Sequence, residues 1–90
     1  MFRLAWHLNA LNQLTRIWTA ADSATRQAIT QATNRIDWEL ENDPVNAGES
    51  RPGGRRIMFT QPLGVLFHID HATGTVTVLR VWLVRKRAKP

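Results

Sequence analysis

The second half of the chain contains three apolar, strand-like segments separated by short turns, and this pattern restricts the fold more than any other feature. The segments are RRIMFT (55–60), GVLFHID (64–70) and TVTVLRVWLV (75–84). Apolar and β-branched residues dominate them, as is usual for strands that form part of a core. The connections QPLG and HATG are short enough for hairpins, so the sequence predicts an antiparallel three-stranded meander.

The first half of the chain predicts one short strand followed by two helices. FRLAW (2–6) alternates in the manner of a strand, and the apolar spacing then changes to three or four residues. The first helical stripe consists of Leu11, Leu14, Trp18 and Ala21, widened by Ile17. Asp22 or Ser23 offers an N-cap to a second helix, which Asp43-Pro44 ends. Because the connection is so short, we expect an antiparallel helical hairpin that covers one side of the sheet.

Charge is distributed unevenly between the two halves of the chain. Residues 1–50 hold four arginines and six carboxylates, a sum of −2, whereas residues 51–90 hold eight cations and Asp70, a sum of +7. The change falls in PVNAGESRPGG (44–54), which has the composition of a loop. A basic half attracts polyanions or acidic protein segments, although such charge can also serve solubility alone.

Composition argues against several classes of function. The chain has no cysteine, and its three histidines lack nearby carboxylate clusters, so neither a disulfide nor a zinc site is expected, and no cofactor is implied. No apolar stretch of 18 residues exists, and MFRLAWHLNALNQL has no sustained apolar core followed by a small-residue cleavage site. We therefore expect a cytoplasmic protein without a membrane partner.

Three segments resemble the RelE/ParE superfamily of small bacterial toxins. They are LNALNQLTRIW (8–18), WELENDPVNAGESR (38–51) and LFHIDHATGTVTVLRVW (66–82). The resemblance extends from about residue 2 to residue 87, and it implies an α+β fold in the order β-α-α-β-β-β, with the helical hairpin packed on a small antiparallel sheet. It implies a single toxin domain at 1–87, followed by a short basic tail end at 88–90. It also implies a cognate antitoxin that wraps the toxin and blocks its active surface.

Members of the superfamily act in two ways, and the resemblance implies both as possibilities. RelE-like toxins cut messenger RNA on the ribosome, and ParE-like toxins poison DNA gyrase. Many cleaving relatives carry an arginine where Gly64 stands here, and a tyrosine or histidine near the end of the last strand, where this chain has Leu83 and Val84. The chain has no tyrosine, and these departures favour binding over cutting.

His68 is the best remaining candidate for a catalytic acid or base, because histidine exchanges protons near neutral pH. It is expected to share a strand face with Leu66 and Asp70. A histidine in a strand is more often a half-buried structural side chain. The alternatives of catalysis, a binding contact and a structural role therefore remain open at this position.

Six cations are candidates for phosphate or partner binding: Arg55, Arg56, Arg80, Arg85, Lys86 and Arg87. Arg55 and Arg56 are adjacent in a strand, so they should point to opposite faces. Strict alternation puts Arg80 on the face of Val76, Val78 and Trp82, where it needs solvent, an anionic ligand or a carboxylate such as Asp70 or Glu39. The cations at 85–87 could hold phosphates, hold an acidic antitoxin segment, or only be solvated.

Two hypotheses for the function follow. The first is a toxin that inhibits growth through DNA gyrase or through ribosome-dependent mRNA cleavage, and that a cognate antitoxin neutralises. The second is a catalytically inactive module of the same fold, which binds nucleic acid or an acidic protein partner. Trp38 lies off the stripe of the second helix, which favours packing under the following loop over an exposed partner-binding patch.

Overall fold

The computed structural model describes residues 1–84, and these form two helices and a five-stranded sheet. The strands are β1 (Arg3–Trp6), β2 (Glu49–Arg51), β3 (Arg55–Thr60), β4 (Leu63–Asp70) and β5 (Thr75–Leu83). The helices are α1 (Leu8–Ala20) and α2 (Ser23–Asn42), and a short 3-10 helix follows at Pro44–Asn46. The α+β class and the predicted elements are confirmed in their order along the chain, and β2 is an additional strand.

The strands lie side by side in the order β1-β5-β4-β3-β2. β3, β4 and β5 pair antiparallel, which confirms the predicted meander, whereas β1 pairs parallel to β5. The loop predicted for residues 44–54 is wrong in two places, because it contains the 3-10 helix and β2, an edge strand antiparallel to β3. Gly48 allows this strand to form, since a side chain there would clash with the Ile57 carbonyl.

Both helices cover the same face of the sheet. The core contains side chains from α1, α2 and the inner face of the strands: Ala10, Ile29, Ala32, Ile36, Leu40, Ala47, Met58, Leu63, Val65, Phe67, Ile69, Val76, Val78 and Val81. The regular spacing of Ile29, Ile36 and Leu40 gives α2 one continuous buried stripe. The Asp22 side chain caps this helix by accepting a hydrogen bond from the Thr25 backbone at 2.8 Å, as predicted.

The buried stripe of α1 differs from the predicted one. Ala10 is its only fully buried residue, and Leu14 and Ile17 pack partly against the core. Leu11 and Trp18 are 44% and 40% exposed, so they lie at the edge of the stripe. Trp38 on α2 is 64% exposed, so the packing interpretation is wrong and this side chain faces solvent.

A β-bulge at Leu79 changes which residues of β5 share a face. Phe67 pairs with Val78, but Leu66 pairs with Arg80, so β5 carries one extra residue between these two pairs. Beyond the bulge the alternation is reversed. The prediction that Arg80 shares a face with Val76 and Val78 is therefore wrong, because Arg80 lies on the face opposite to the helices.

Candidate functional site

The face of the sheet opposite to the helices is the candidate functional site, and we call it the open face. The strand registers assign these residues to it: Arg3, Ala5, Glu49, Arg51, Arg55, Ile57, Phe59, Gly64, Leu66, His68, Asp70, Thr75, Thr77, Arg80 and Trp82. No helix of the described residues covers it. It carries four arginines and two carboxylates, so it has a surplus of positive charge.

The two carboxylates of the open face have local partners. Glu49 forms an ion pair with Arg51 at 3.4 Å on the edge strand. Asp70 accepts hydrogen bonds from the backbone of Ala72 and Thr73, which closes the turn between β4 and β5. Arg55 and Arg80 form no ion pair within residues 1–84. These two guanidinium groups are therefore available to an anionic partner.

An aromatic cluster occupies one end of the open face. Gly64 pairs with Trp82 on the neighbouring strand, and the Trp82 ring lies so close that an added Cβ at Gly64 would be 2.5 to 2.7 Å from three of its atoms. Phe59 meets the same ring edge to face, with 6.1 Å between centroids, and is itself 61% exposed. This cluster was not predicted from the sequence, although a glycine inside a strand indicates a close approach by another group.

His68 lies near the other end of the open face, half-buried between Arg55 on β3 and Thr77 on β5. Its imidazole extends toward the turn before β3, since an added Cβ at Gly54 would lie 3.5 Å from Nε2. The predicted shared face with Leu66 and Asp70 is confirmed. His68 and Arg55 therefore place a proton-transfer group beside a cation.

Arg55 and Arg56 point to opposite faces, as predicted. Arg55 is exposed on the open face, whereas the Arg56 guanidinium donates to the carbonyls of Ala47 and Gly48 at 2.9 and 3.0 Å. These two bonds hold the loop before β2 against β3. Arg56 thus has a structural role in the described residues, and of the two neighbours Arg55 is the one that faces solvent.

Arg80 is exposed, and the ion pair considered for it does not form. Glu39 pairs instead with Arg35 at 3.1 Å, and Asp70 is engaged by its own turn. Arg80 stands between the aromatic cluster and Thr77 along β5. Arg85, Lys86 and Arg87 lie outside the described residues.

The described residues 1–84 also bear on membrane insertion and on metal binding. No helix there is both long enough and apolar enough to cross a membrane. Within the same residues, no three side chains of the metal-ligating types come together as a group.

Solved structures of toxins and toxin–antitoxin complexes share this fold. A chain of the RelBE2 toxin-antitoxin complex from Mycobacterium tuberculosis matches with a TM-score of 0.74 and 18% identity, covering 91% of this chain and 96% of that one. A chain of the ParDE system from P. aeruginosa matches with a TM-score of 0.72 and 19% identity, covering 94% of this chain and 98% of that one. The isolated E. coli RelE toxin matches with a TM-score of 0.65 and 13% identity, covering 97% of this chain and 88% of that one.

These likenesses show that the chain has the RelE/ParE-like fold over nearly its whole length, which confirms the fold that the resemblance implied. No protein-family model matches the sequence, and no curated protein matches it significantly. Both RelE and ParE structures are among the matches at similar identity, so the fold does not separate the two branches.

Proposed function

We propose that this chain is the toxin component of a type II toxin–antitoxin pair and that a cognate antitoxin neutralises it. Support comes from the solved structures with the same fold, which are toxins and toxin–antitoxin complexes matched over nearly their full length. The sequence resemblance in three separate segments points the same way. The antitoxin is proposed to cover the open face, because that is the largest surface of the sheet on which no described element packs.

The toxin is proposed to act by binding its target through the open face, in the manner of a gyrase poison. One observation carries this proposal: the Trp82 ring covers Gly64, where the resemblance puts an arginine in cleaving relatives. An enzyme that cleaves RNA stabilises charge on the phosphate and moves protons to and from oxygen atoms. Here the matching position is a glycine covered by an aromatic ring, while Arg55 on β3 and Arg80 on β5 are available as anion-binding groups on the two strands that flank β4.

Ribosome-dependent mRNA cleavage is the second candidate, and the position of His68 favours it. The imidazole is half-buried on the open face, directly opposite Arg55 in the ladder. In this reading His68 would exchange the proton and Arg55 would stabilise the charged phosphate. The absence of tyrosine from the sequence leaves His68 as the acid or base with the best position on the described part of the open face.

Expression of the chain without an antitoxin separates the candidates. Induction of the DNA-damage response with intact transcripts would support gyrase poisoning, whereas transcripts cut at codon boundaries would support the nuclease. His68→Gln tests the second candidate directly, with His71→Gln in the β4–β5 turn as a matched control. If His68→Gln alone stops transcript cleavage, the nuclease proposal replaces the gyrase proposal. Normal growth of cells that express the folded wild-type chain would contradict both and favour an inactive binding module.

A further inference from the structure

A polar groove lies between α1 and β5, outside the aromatic cluster and outside the pair of Arg55 and His68. It has a volume of about 370 Å³. Its lining combines two guanidinium groups, three carboxamides and one apolar side chain: Arg16, Arg80, Asn9, Asn12, Gln13 and Leu79. A volume of this size is at the lower end of the range for small-molecule sites in proteins.

The groove exists because β1 is shorter than β5. Pairing between them ends at Trp6 and Val78, and α1 then runs past the part of β5 that has no strand beside it on this side. The Gln13 side chain closes the gap by accepting a hydrogen bond from the Val81 backbone at 2.9 Å. The bulge at Leu79 falls at this point, where the edge of β5 has no neighbouring strand, so the Arg80 side chain borders both the open face and the groove.

The polar wall of the groove comes from one stripe of α1. Asn9, Asn12, Gln13 and Arg16 recur at three- or four-residue intervals, so they lie on one side of the helix. Neither α1 nor β5 contains a carboxylate anywhere in its sequence. The side chains of Arg16 and Arg80 have no hydrogen-bond or ion-pair partner within residues 1–84.

We propose that this groove binds a nucleoside phosphate, either as a free mononucleotide or as one residue of a nucleic-acid strand. The guanidinium groups of Arg16 and Arg80 hold the phosphate through charge-assisted hydrogen bonds. The carboxamides of Asn9 and Asn12 bind the edge of the base, because a carboxamide both donates and accepts, as base edges do.

The mixture of groups selects this ligand over other anions. An acidic peptide would bring carboxylates to the two arginines, but its acidic side chains offer no donors to the acceptor oxygens of Asn9 and Asn12, whereas base edges do. Inorganic phosphate would engage the two arginines and leave the rest of the groove unused. The inference does not depend on the proposed toxicity, because it concerns binding by the purified chain.

Calorimetric titration of the purified full-length chain tests the inference. The probes are AMP, GMP, a single-stranded hexanucleotide of mixed sequence, inorganic phosphate and a glutamate-rich peptide. Binding of AMP or GMP would identify the ligand of the groove as a free mononucleotide. Binding of the hexanucleotide alone would identify it as one residue of a nucleic-acid strand. Either result supports the inference if phosphate and the peptide bind at least about tenfold more weakly.

Three variants locate the binding in the groove. Arg16→Gln and Arg80→Gln each remove one guanidinium, and each is expected to weaken nucleotide binding by about tenfold or more. Gln13→Glu keeps an oxygen for the Val81 N–H but puts a negative charge in the groove, so it should also weaken binding without unfolding the chain. Arg35→Gln, at an exposed arginine of α2, is the matched control and should bind as the wild type does.

The inference is overturned if neither the mononucleotides nor the hexanucleotide bind, or if phosphate or the acidic peptide binds equally well. It is also overturned if Gln13→Glu and both arginine variants bind as tightly as the wild type. Circular dichroism of each variant verifies that a loss of binding does not come from unfolding.

Discussion

At the scale of single residues, Gly64 and Trp82 set the character of one end of the open face. A methyl group at Gly64 would overlap the indole ring, so Gly64→Ala must displace the ring from the strand. Forced displacement of a packed side chain costs about 1 to 3 kcal/mol. We therefore expect Gly64→Ala to lower the free energy of unfolding by about that amount in urea denaturation.

The matched control places the same substitution in a Trp82→Leu background. Removing the indole removes the overlap, so the cost of Gly64→Ala should largely disappear there, and a double-mutant cycle measures the coupling. An equal cost in both backgrounds would contradict the close contact and would point to the strand backbone instead.

Arg55 and Arg56 are neighbours with different roles, and stability measurements separate them. Arg56→Gln removes the charged donor from the carbonyls of Ala47 and Gly48, so we expect it to lower the free energy of unfolding by about 1 to 2 kcal/mol. Arg55→Gln should change it by less than about 0.5 kcal/mol, because the Arg55 side chain is exposed and makes no such bond in the described residues. Equal effects of the two substitutions would contradict the assigned faces.

Asp37 on α2 makes the stability depend on pH. Burial raises the pKa of its carboxyl above the ordinary 3.8, a hydrogen bond from Trp6 Nε1 at 3.0 Å opposes the rise, and the Glu41 carboxylate adds to it. Because the pKa is higher in the folded chain, the stability from this group is fully present below 3.8 and is lost as the pH rises through the raised value. Asp37→Asn keeps a carbonyl oxygen for Trp6 and cannot ionise.

The free energy of unfolding of Asp37→Asn, relative to wild type, should therefore increase as the pH is raised from about 3.5 to 7 in a urea series. Asp22→Asn is the control of opposite sign. The hydrogen bonds from Thr25 lower the pKa of the Asp22 carboxyl, so its stabilisation is present above 3.8 and is lost as the pH falls. Asp22→Asn should therefore become less stable relative to wild type as the pH rises. A difference in stability between Asp37→Asn and wild type that stays constant with pH would contradict the raised pKa of Asp37.

At the scale of elements, α1 is tied to the sheet through Gln13. Val81 is buried, and its backbone N–H has the Gln13 side chain as its acceptor beyond the end of β1. Gln13→Ala leaves this donor without a protein partner, so we expect a loss of about 1 to 2 kcal/mol in the free energy of unfolding. Asn12→Ala, in the same groove, should cost much less. Equal losses of stability in Gln13→Ala and Asn12→Ala would contradict a stabilising role of the hydrogen bond from Val81 to Gln13.

The sequence predicted the elements better than it predicted their faces. The ranges of β3, β4 and β5 agree with the segments read from apolar content and turns, because these signals are local. The face of Arg80 was wrong because one extra residue at Leu79 reverses the alternation, and no local signal reports such a bulge. β2 was missed because ESR is short, polar and exposed, so only its pairing with β3 makes it a strand.

In the candidate site, too, local geometry was predicted from the sequence, whereas contacts that depend on strand pairing were not. The opposite directions of Arg55 and Arg56 follow from strand geometry, and they were predicted. Which of them faces the open side depends on the register of β3 against β4, which is a tertiary property. The contact of Trp82 with Gly64 joins residues 18 positions apart in the chain, so it could be found only once the strands were paired.

At the scale of the whole molecule, charge and fold point to the same surface. The chain carries a net charge of +5, and four of its arginines lie on the open face. Attraction between such a surface and an acidic or polyanionic partner weakens with salt, since it depends on Coulomb forces and released counterions. The proposed toxin thus presents to its target a face that combines available cations with the exposed Phe59 ring and the half-buried Trp82 ring.

The growth rate after induction of the chain without an antitoxin tests the central claim most directly. We predict that the wild type and the Arg35→Glu control both arrest growth, whereas Arg55→Glu combined with Arg80→Glu does not, although it accumulates to the same level as a folded protein. Reversing charge at two exposed arginines of the open face removes the proposed contacts, and Arg35 lies on α2 in a surface ion pair of little energetic value. Normal growth with the wild-type chain, or equal arrest by the double variant, would contradict the claim that this is a toxin acting through its open face.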